Sequence, residues 1–298
     1  MQFRSLLSVL ILFISFSSYA QVVLEVDPSA TDSKITKVHS SHIAMYNDSI
    51  RSNKKLVLVL PGTGASPRDL MALQRSLSEM GFHVIGLDYK NEVITTACTK
   101  SEDPKCFDQF RQEIVFGTSI SDKTEVDSAN SIYNRFYQLL SYLRKTDPDG
   151  GWGEFISGTK IKWNKVIATG HSQGAGHAGY LAQEFKLARA VMLSGPQDYF
   201  STFDAPAEWL SRKGKTPASR LFALLHKEDP FNCSWQVAGN AKLMSLAVDD
   251  TVAITPDTRI FKGHILVTDL KTNNTHGASV QPVFLNTWKY LFLGENKQ

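Results

Sequence analysis

Along most of the chain, short apolar runs alternate with longer stretches in which apolar residues recur every three or four positions. Residues 55–60 consist of Lys55 and five apolar residues without alternation, as expected of a strand that is buried on both faces of a parallel sheet. Residues 67–80 have helical spacing, with Pro67 in the first turn and Gly81 just past the end, and residues 83–88 form the next apolar run. This order predicts an α/β fold, in which helices cover both faces of a mostly parallel central sheet.

The same alternation continues to the C-terminus. The remaining predicted elements are helices at 126–144, 173–186 and 282–293 and strands at 165–169, 190–193, 221–225 and 264–268. Residues 90–124 do not follow the pattern, and because they are polar and longer than an ordinary connection, we expect an insertion there. Residues 21–50 are weakly patterned and allow no more than a possible edge strand.

The first twenty residues have the composition of a secretory leader. Arg4 is followed by an apolar run at 6–16 and then by Ser18-Tyr19-Ala20, a site that a signal peptidase accepts. The run is shorter than the roughly 20 residues that a membrane-spanning helix needs. We therefore predict a signal peptide at 1–20, a secreted or periplasmic mature protein without an integral membrane segment, and a single domain at 21–298.

The charge balance argues against two classes of partner. The chain has 32 Lys and Arg against 29 Asp and Glu, and losing Arg4 with the leader makes this 31 against 29. A nearly neutral surface gives no reason to expect nucleic acid or an anionic membrane as a partner. Asp249 and Asp250 have no further ligand at metal-binding spacing and are best interpreted as a solvated turn. No metal and no cofactor is expected, and the oligomeric state stays open.

The chain contains three cysteines: Cys98, Cys106 and Cys233. In an oxidising compartment, a Cys98–Cys106 disulfide would close a small loop and stabilise the fold by roughly 2 to 3 kcal/mol in the chain-entropy model. We favour this local pair, which leaves Cys233 over. The sequence also allows Cys233 to pair with either of the others, or three free thiols.

The sequence Gly170-His171-Ser172-Gln173-Gly174 lies between a predicted strand and a predicted helix. A serine on such a sharp turn has strained backbone geometry, and side chains two residues to either side would collide, so glycine is needed there. In this context the segment resembles the nucleophile elbow of the α/β-hydrolase superfamily, and the strand order over residues 54–292 is similar to that fold. The resemblance is to secreted esterases and lipases at the level of the fold.

The resemblance implies a catalytic triad with Ser172 as the nucleophile. Its base is expected late in the chain, because the superfamily places serine, acid and histidine in that order. His276 follows the last strand and precedes Gly277, whereas the rival His264 lies at the start of that strand, at the wrong end of the sheet. His276 is therefore the predicted base, taking and returning the serine proton near neutral pH.

The predicted acid is Asp229, four residues beyond the strand at 221–225, which is where the superfamily's acid usually falls. Glu228 is adjacent, and Asp198, just after the preceding strand, occupies a position that some lipases use and stays as the alternative. The acid would hold the imidazole in the correct tautomer and stabilise it when it is charged.

The oxyanion that forms on attack needs two donors. The resemblance implies the backbone N–H groups of Gln173 and Thr63, with Gly64 as the neighbouring alternative to Thr63. Pro61 stands where the superfamily more often has histidine, which leaves open which residue of this loop is the donor.

Several other residues have a simpler interpretation. His177 lies about 140° around the helix from Ser172 and is interpreted as a packed or capping residue. Three aromatic residues lie in the connection between the strands at 190 and 221, where they either line an acyl pocket or pack a surface helix; these are Phe200, Phe203 and Trp209.

These features together predict a serine hydrolase that cleaves carboxylic esters of small molecules or lipids. Two alternatives stay open. The same triad could transfer the acyl group to another acceptor or cleave amide bonds, and the scaffold could be a binding protein that has lost catalysis.

Overall fold

A large mixed sheet forms the centre of the protein. The structure is a computed structural model and describes residues 21–294. The predicted signal peptide at 1–20 lies outside the described residues. The strands of the large sheet and of two short hairpins are, in chain order, β1 (Gln21–Val26), β2 (His42–Asn47), β3 (Leu56–Leu60), β4 (His83–Gly86), β5 (Ile156–Ser157), β6 (Lys160–Ile161), β7 (Val166–His171), β8 (Arg189–Leu193), β9 (Tyr199–Phe200), β10 (Ala205–Pro206), β11 (Leu221–His226), β12 (Thr251–Ile254) and β13 (Ile265–Thr268).

The large sheet has nine strands in the order β1-β2-β4-β3-β7-β8-β11-β13-β12. Strands β1 and β2 form an antiparallel pair, and β2 also pairs with β4 in the antiparallel direction. All the other neighbours in this sheet are parallel. The predicted α/β-hydrolase fold, with a mostly parallel central sheet, is confirmed by this topology.

Helices cover both faces of the sheet. They are α1 (Pro28–Thr31), α2 (Met71–Glu79), α3 (Cys106–Phe116), α4 (Ile132–Thr146), α5 (Gln173–Glu184), α6 (Cys233–Met244) and α7 (Leu285–Leu293). The apolar side chains of α2 and α7 are buried with alternate residues of β3, Val57 and Val59, on one face. Those of α3, α4, α5 and α6 are buried with Leu58 and Leu60 on the other face. A strand that is covered on both sides explains why residues 55–60 show no alternation.

Most predicted elements are present with shifted ends. The helix predicted at 126–144 begins only at Ile132, because Ser131 caps it by accepting a hydrogen bond from the Asn134 N–H at 3.2 Å. The helix predicted at 282–293 begins as a 3₁₀ turn and becomes α-helical at Leu285. The expected edge strand near the start of the chain is β1, and the pattern missed its partner β2, the helix α6 and the edge strand β12.

The insertion at 90–124 contains a helix that the sequence analysis did not predict. In α3, Phe107, Phe110 and Ile114 are buried at helical spacing against α4 and α5. The predicted Cys98–Cys106 disulfide is formed and ties the start of α3 to the preceding 3₁₀ turn, with a Cα–Cα distance of 5.6 Å. Cys233 is a half-buried free thiol, and burial raises its pKa to about 11. The insertion is therefore a packed part of the domain.

Two aspects of the described residues bear on earlier expectations. None of the helices within residues 21–294 is long and apolar enough to cross a membrane. Asp250 accepts a hydrogen bond from the Ala247 N–H at 2.9 Å, in the turn that was predicted at Asp249 and Asp250.

Buried neutral histidines should make the fold sensitive to acid. His177 is fully buried beside Arg111, and burial followed by that positive charge holds its pKa well below the ordinary value. Burial likewise lowers the pKa of His42 to about 3. Below pH 6.5 the unfolded chain binds protons that the folded chain does not, so the free energy of unfolding falls as the pH falls.

We expect His177→Phe to reduce this acid sensitivity. Between pH 7 and pH 5, the free energy of unfolding should fall by about 2 kcal/mol less in the variant than in the wild type, because one histidine no longer titrates on unfolding. Urea unfolding at pH 7, 6 and 5 measures the difference. The same pH dependence in both proteins would contradict the assignment of His177 as a neutral buried group.

Candidate active site

The predicted site residues lie at one edge of the sheet. Parallel strands end at the same edge, so the loops that follow them lie side by side. Thr63 follows β3, Ser172 follows β7, Asp229 follows β11 and His276 follows β13. The topology thus brings four residues that are far apart in sequence to one end of the sheet.

Ser172 lies on a strained turn between β7 and α5. Its backbone has φ 58° and ψ −120°, in the region of positive φ that residues with a Cβ rarely adopt. A Cβ on Gly174 would overlap the carbonyl oxygen of Leu60, and one on Gly170 would overlap the backbone of Gly174. The glycines are therefore required by the close approach of the turn to β3. Ser172 is largely buried, with 8% of its surface exposed.

His276 and Asp229 form a direct pair. Nδ1 of His276 lies 2.8 Å from Oδ2 of Asp229, whose side chain is fully buried, while the His276 side chain is 17% exposed. A carboxylate only accepts, so Nδ1 carries a proton. Burial opposes ionisation of Asp229, but the hydrogen bond and charge of His276, together with the hydrogen bond from the Phe231 N–H, lower the pKa of the carboxyl. Nε2 of His276 is left for another partner.

The backbone of His276 is fastened to the elbow. Nε2 of His171, the residue before Ser172, lies 2.9 Å from the His276 carbonyl oxygen, and Oγ of Ser194 donates to the same oxygen at 2.7 Å. The two imidazole rings are 4.7 Å apart between centroids. Burial, and next the charge of His276, lowers the pKa of His171 to about 4, so His171 is neutral and its N–H donates. His276 is thus held against the residue before Ser172, and no hydrogen bond joins Oγ of Ser172 to the His276 ring in the part of the chain that the structure describes.

The loop after β3 is held against the start of α5. Oγ1 of Thr63 donates to Oε1 of Gln173 at 2.5 Å, which joins the two residues predicted to supply the oxyanion donors. The N–H of Gly64 donates to the carbonyl oxygen of Asn91 at 3.1 Å, so this N–H already has an acceptor and is not free to bind an oxyanion. Gln173 is the first residue of α5, and its N–H lacks an acceptor within the helix. This geometry favours Thr63 over Gly64.

The alternative acid, Asp198, is engaged elsewhere. Nε and Nη2 of Arg111 donate to its two carboxylate oxygens at 3.0 and 2.5 Å, and Nε1 of Trp209 donates to Oδ2 at 2.8 Å. Arg111 and Asp198 are both buried, and Nη1 of Arg111 also donates to the Gln173 carbonyl oxygen at 2.8 Å. Asp198 therefore belongs to a buried ion pair beneath the elbow, and Arg111 was not identified from the sequence.

A cavity of about 550 Å³ adjoins these residues. Gln197, which donates to Ser172 Oγ, and Phe231, whose ring lies 4.6 Å from that of His276, are both part of its lining. The remaining lining residues come from the insertion and from the start of α6: Thr96, Ala97, Thr99, Lys100, Pro230, Asn232 and Trp235. The insertion therefore forms one wall of the cavity.

The sequence left open whether three aromatic residues line an acyl pocket or pack a surface helix. None of the three is part of the lining of this cavity. Trp209 and Phe200 are buried, and Phe200 packs edge-on against Phe107 of the insertion at 4.8 Å. Phe203 is 48% exposed and packs against Phe200. His177 is packed between Tyr89 and Phe110, as interpreted from its position on the helix.

Within residues 21–294, no three His, Cys, Asp or Glu side chains are grouped as a metal site would require. Comparisons by sequence found no matching protein family and no matching curated protein. Among solved structures, the fold is similar to that of a Klebsiella pneumoniae protein provisionally named a dienelactone hydrolase, with a TM-score of 0.49 and 11% identity over 92% of this chain and 98% of that chain. A similarity of this degree does not assign an activity to this chain.

Proposed function

We propose that this protein is a secreted or periplasmic serine hydrolase that cleaves carboxylic esters through an acyl-enzyme at Ser172. The observation that carries the proposal is the Asp229–His276 pair, in which the carboxylate is buried and the His276 backbone is held by His171, the residue before Ser172. An imidazole with Nδ1 on a carboxylate has Nε2 available as a base, and a serine needs such a base to become nucleophilic. The adjoining cavity leaves room for a substrate.

In the proposed acylation, Oγ of Ser172 attacks the ester carbonyl carbon while its proton passes to Nε2 of His276. The carbonyl π electrons move to the oxygen, and the backbone N–H groups of Thr63 and Gln173 stabilise that oxyanion. Asp229 stabilises the imidazolium. The intermediate then collapses, the bond to the alcohol oxygen breaks, and the alcohol leaves with the proton from His276.

In the proposed deacylation, water takes the place of the alcohol. His276 removes a proton from water as its oxygen attacks the acyl carbon, and then returns a proton to Oγ of Ser172 as the carboxylic acid leaves. The cycle balances without an oxidant, a reductant or a metal. In this proposal, the side chains and backbone N–H groups named above carry out every step of ester hydrolysis.

Two further expectations belong to this proposal. We propose that the protein acts outside the cytoplasm, because the Cys98–Cys106 disulfide agrees with an oxidising compartment and with the predicted leader at 1–20. We also propose that residues 21–298 form one domain, because strands from both ends of the described chain pair within a single sheet.

Labelling with a fluorophosphonate tests the proposal. This reagent phosphonylates serines that an adjacent base has activated, so mass spectrometry of the folded protein should find the adduct on Ser172. His276→Ala should abolish the labelling, because among residues 21–294 no other base beside the elbow is paired with a carboxylate. His264→Ala is the matched control and should leave the labelling unchanged, since His264 contacts the Leu221 carbonyl oxygen at the opposite end of the sheet.

The outcomes separate the alternatives. Failure of the wild type to react would overturn the proposal and favour a binding protein. If Ser172 is labelled, competing alcohols and amines in an ester assay distinguish hydrolysis from acyl transfer, because transfer would yield the new ester or amide in place of the acid.

A further inference from the structure

Gln197 is the only side chain that hydrogen-bonds Oγ of Ser172 among the described residues. Its Nε2 donates to Oγ at 3.1 Å and lies 3.4 Å from the Ser194 carbonyl oxygen. A carbonyl oxygen accepts and does not donate, so the nitrogen of the amide must be the atom that faces these two oxygens. Oγ of Ser172 is therefore the acceptor in its contact with Gln197.

The loop that carries Gln197 is rigidly held. Asn240 donates to the Gly195 carbonyl oxygen at 2.8 Å, on the N-terminal side of Gln197. On its C-terminal side, Asp198 is bound by Arg111 and Trp209. Gln197 itself is only 3% exposed. Contacts of the residues on both sides therefore hold the loop in the position from which the Gln197 amide reaches the serine oxygen.

On this basis, and resting on the proposed function, we infer that Gln197 is a catalytic residue whose amide N–H stabilises the Ser172 oxygen while that oxygen carries negative charge. Oγ has one proton and two acceptor positions. With one acceptor position taken by Gln197, its proton stays free to pass to Nε2 of His276. Gln197 also lines the cavity, so it borders both the nucleophile and the space proposed for the substrate.

The stabilisation acts in both halves of the reaction. In acylation, the O–H bond of Ser172 breaks, the proton moves to His276, and Oγ gains charge before its bond to the acyl carbon is complete. In deacylation, the bond between Oγ and the acyl carbon breaks, and Oγ holds that electron pair until His276 returns the proton. A hydrogen bond strengthens as its acceptor becomes charged, so the Gln197 donor favours both transition states over the resting enzyme.

Two replacements of similar size test this role in the full protein. Gln197→Met keeps the volume and removes the donor, so we expect the rate of fluorophosphonate labelling at Ser172 to fall by roughly ten- to a hundredfold, the effect of losing one hydrogen bond to a charged group. In an assay with p-nitrophenyl esters, kcat should fall more than KM rises. Gln138→Met, at a half-buried glutamine on α4 away from the site, should label at the wild-type rate.

Gln197→Glu separates hydrogen bonding from packing. Burial raises the pKa of a carboxyl, so labelling is followed as the pH rises. Once ionised, the carboxylate cannot donate and repels the charge that develops on Oγ, so in that pH range this variant should be labelled more slowly than Gln197→Met. A packing role would not produce this order, because the glutamate is the closer match in shape. Melting temperatures of all variants check that the proteins are folded.

Each result decides one way. Labelling of Gln197→Met within twofold of the wild type, or equal rates for the methionine and glutamate variants, would overturn the inference. If the methionine variant does not fold, the glutamate variant decides alone by the same twofold criterion against the wild type. A wild type that is not labelled would refute the proposed function itself, a result distinguishable from all of these.

Discussion

Replacing Ser172 by alanine should reduce ester hydrolysis by roughly 10⁴- to 10⁶-fold, leaving only the residual rate that the oxyanion donors and substrate binding support. The alanine retains the Cβ and so fits the strained turn as serine does, but it has no oxygen to form an acyl-enzyme. Among the described residues, the substitution removes one side-chain hydrogen bond, the one that Gln197 donates to Oγ of Ser172. The measurement is kcat/KM on a p-nitrophenyl ester, together with urea unfolding to show that stability is preserved.

The control for this prediction is Ser141→Ala, at a half-buried serine on α4 that is remote from the site. It should retain the wild-type kcat/KM. Ester hydrolysis that persists at the wild-type rate in Ser172→Ala would show that the activity resides elsewhere, and the proposed acyl-enzyme would then be wrong.

Replacing Asp198 by asparagine should lower the free energy of unfolding by about 3 to 5 kcal/mol, the effect of leaving a buried charge without its partner. Arg111 and Asp198 have fully buried side chains and share two hydrogen bonds. Asparagine keeps the shape of the side chain but removes the negative charge that compensates the guanidinium. Urea unfolding at pH 7 measures the loss.

The exposed pair of Lys165 and Glu154 provides the control. These side chains are 32% and 48% exposed, and Glu154→Gln should lower the free energy of unfolding by less than about 1 kcal/mol. The double variant Arg111→Met with Asp198→Asn should be less destabilised than the sum of its single variants, because it leaves no unpaired charge. Equal losses for the buried and exposed pairs would contradict the interpretation of Arg111 and Asp198 as a buried ion pair.

Arg111 contributes both to the buried ion pair that stabilises the fold and to the position of the turn that carries Ser172. Its third hydrogen bond, to the Gln173 carbonyl oxygen, lies at the first residue of α5, directly after Ser172. The insertion, through α3, thus supplies a buried cation under the elbow and, through Thr96 to Lys100, one wall of the cavity. The segment that the sequence indicated as an insertion therefore contributes to the site in two ways.

The sequence by itself determined the features that depend on local sterics and on periodicity. Gly170 is needed because a Cβ there would overlap the backbone of Gly174, a constraint that acts within five residues and is visible as spacing. The need for glycine at Gly174 has a second cause, the close approach of the turn to Leu60 of β3. The unbroken apolar run that follows Lys55 indicated a strand covered on both sides, and the structure has β3 there. Weakly patterned elements such as β2 and α6 were missed, because their burial depends on neighbours that are distant in sequence.

The tertiary structure decided which polar groups meet. Asp229 and Asp198 both follow strands, and the sequence offered either as the acid. Only the fold shows that Asp198 contacts Arg111, 87 positions away, and that Asp229 contacts His276, 47 positions away. Gln197 likewise has no local signal, since an amide next to a loop proline is ordinary until Ser172, 25 positions earlier, is brought beside it. The physical reason is that a hydrogen bond depends on distance and direction in space, and those are determined when strands that are far apart in the chain become neighbours in one sheet.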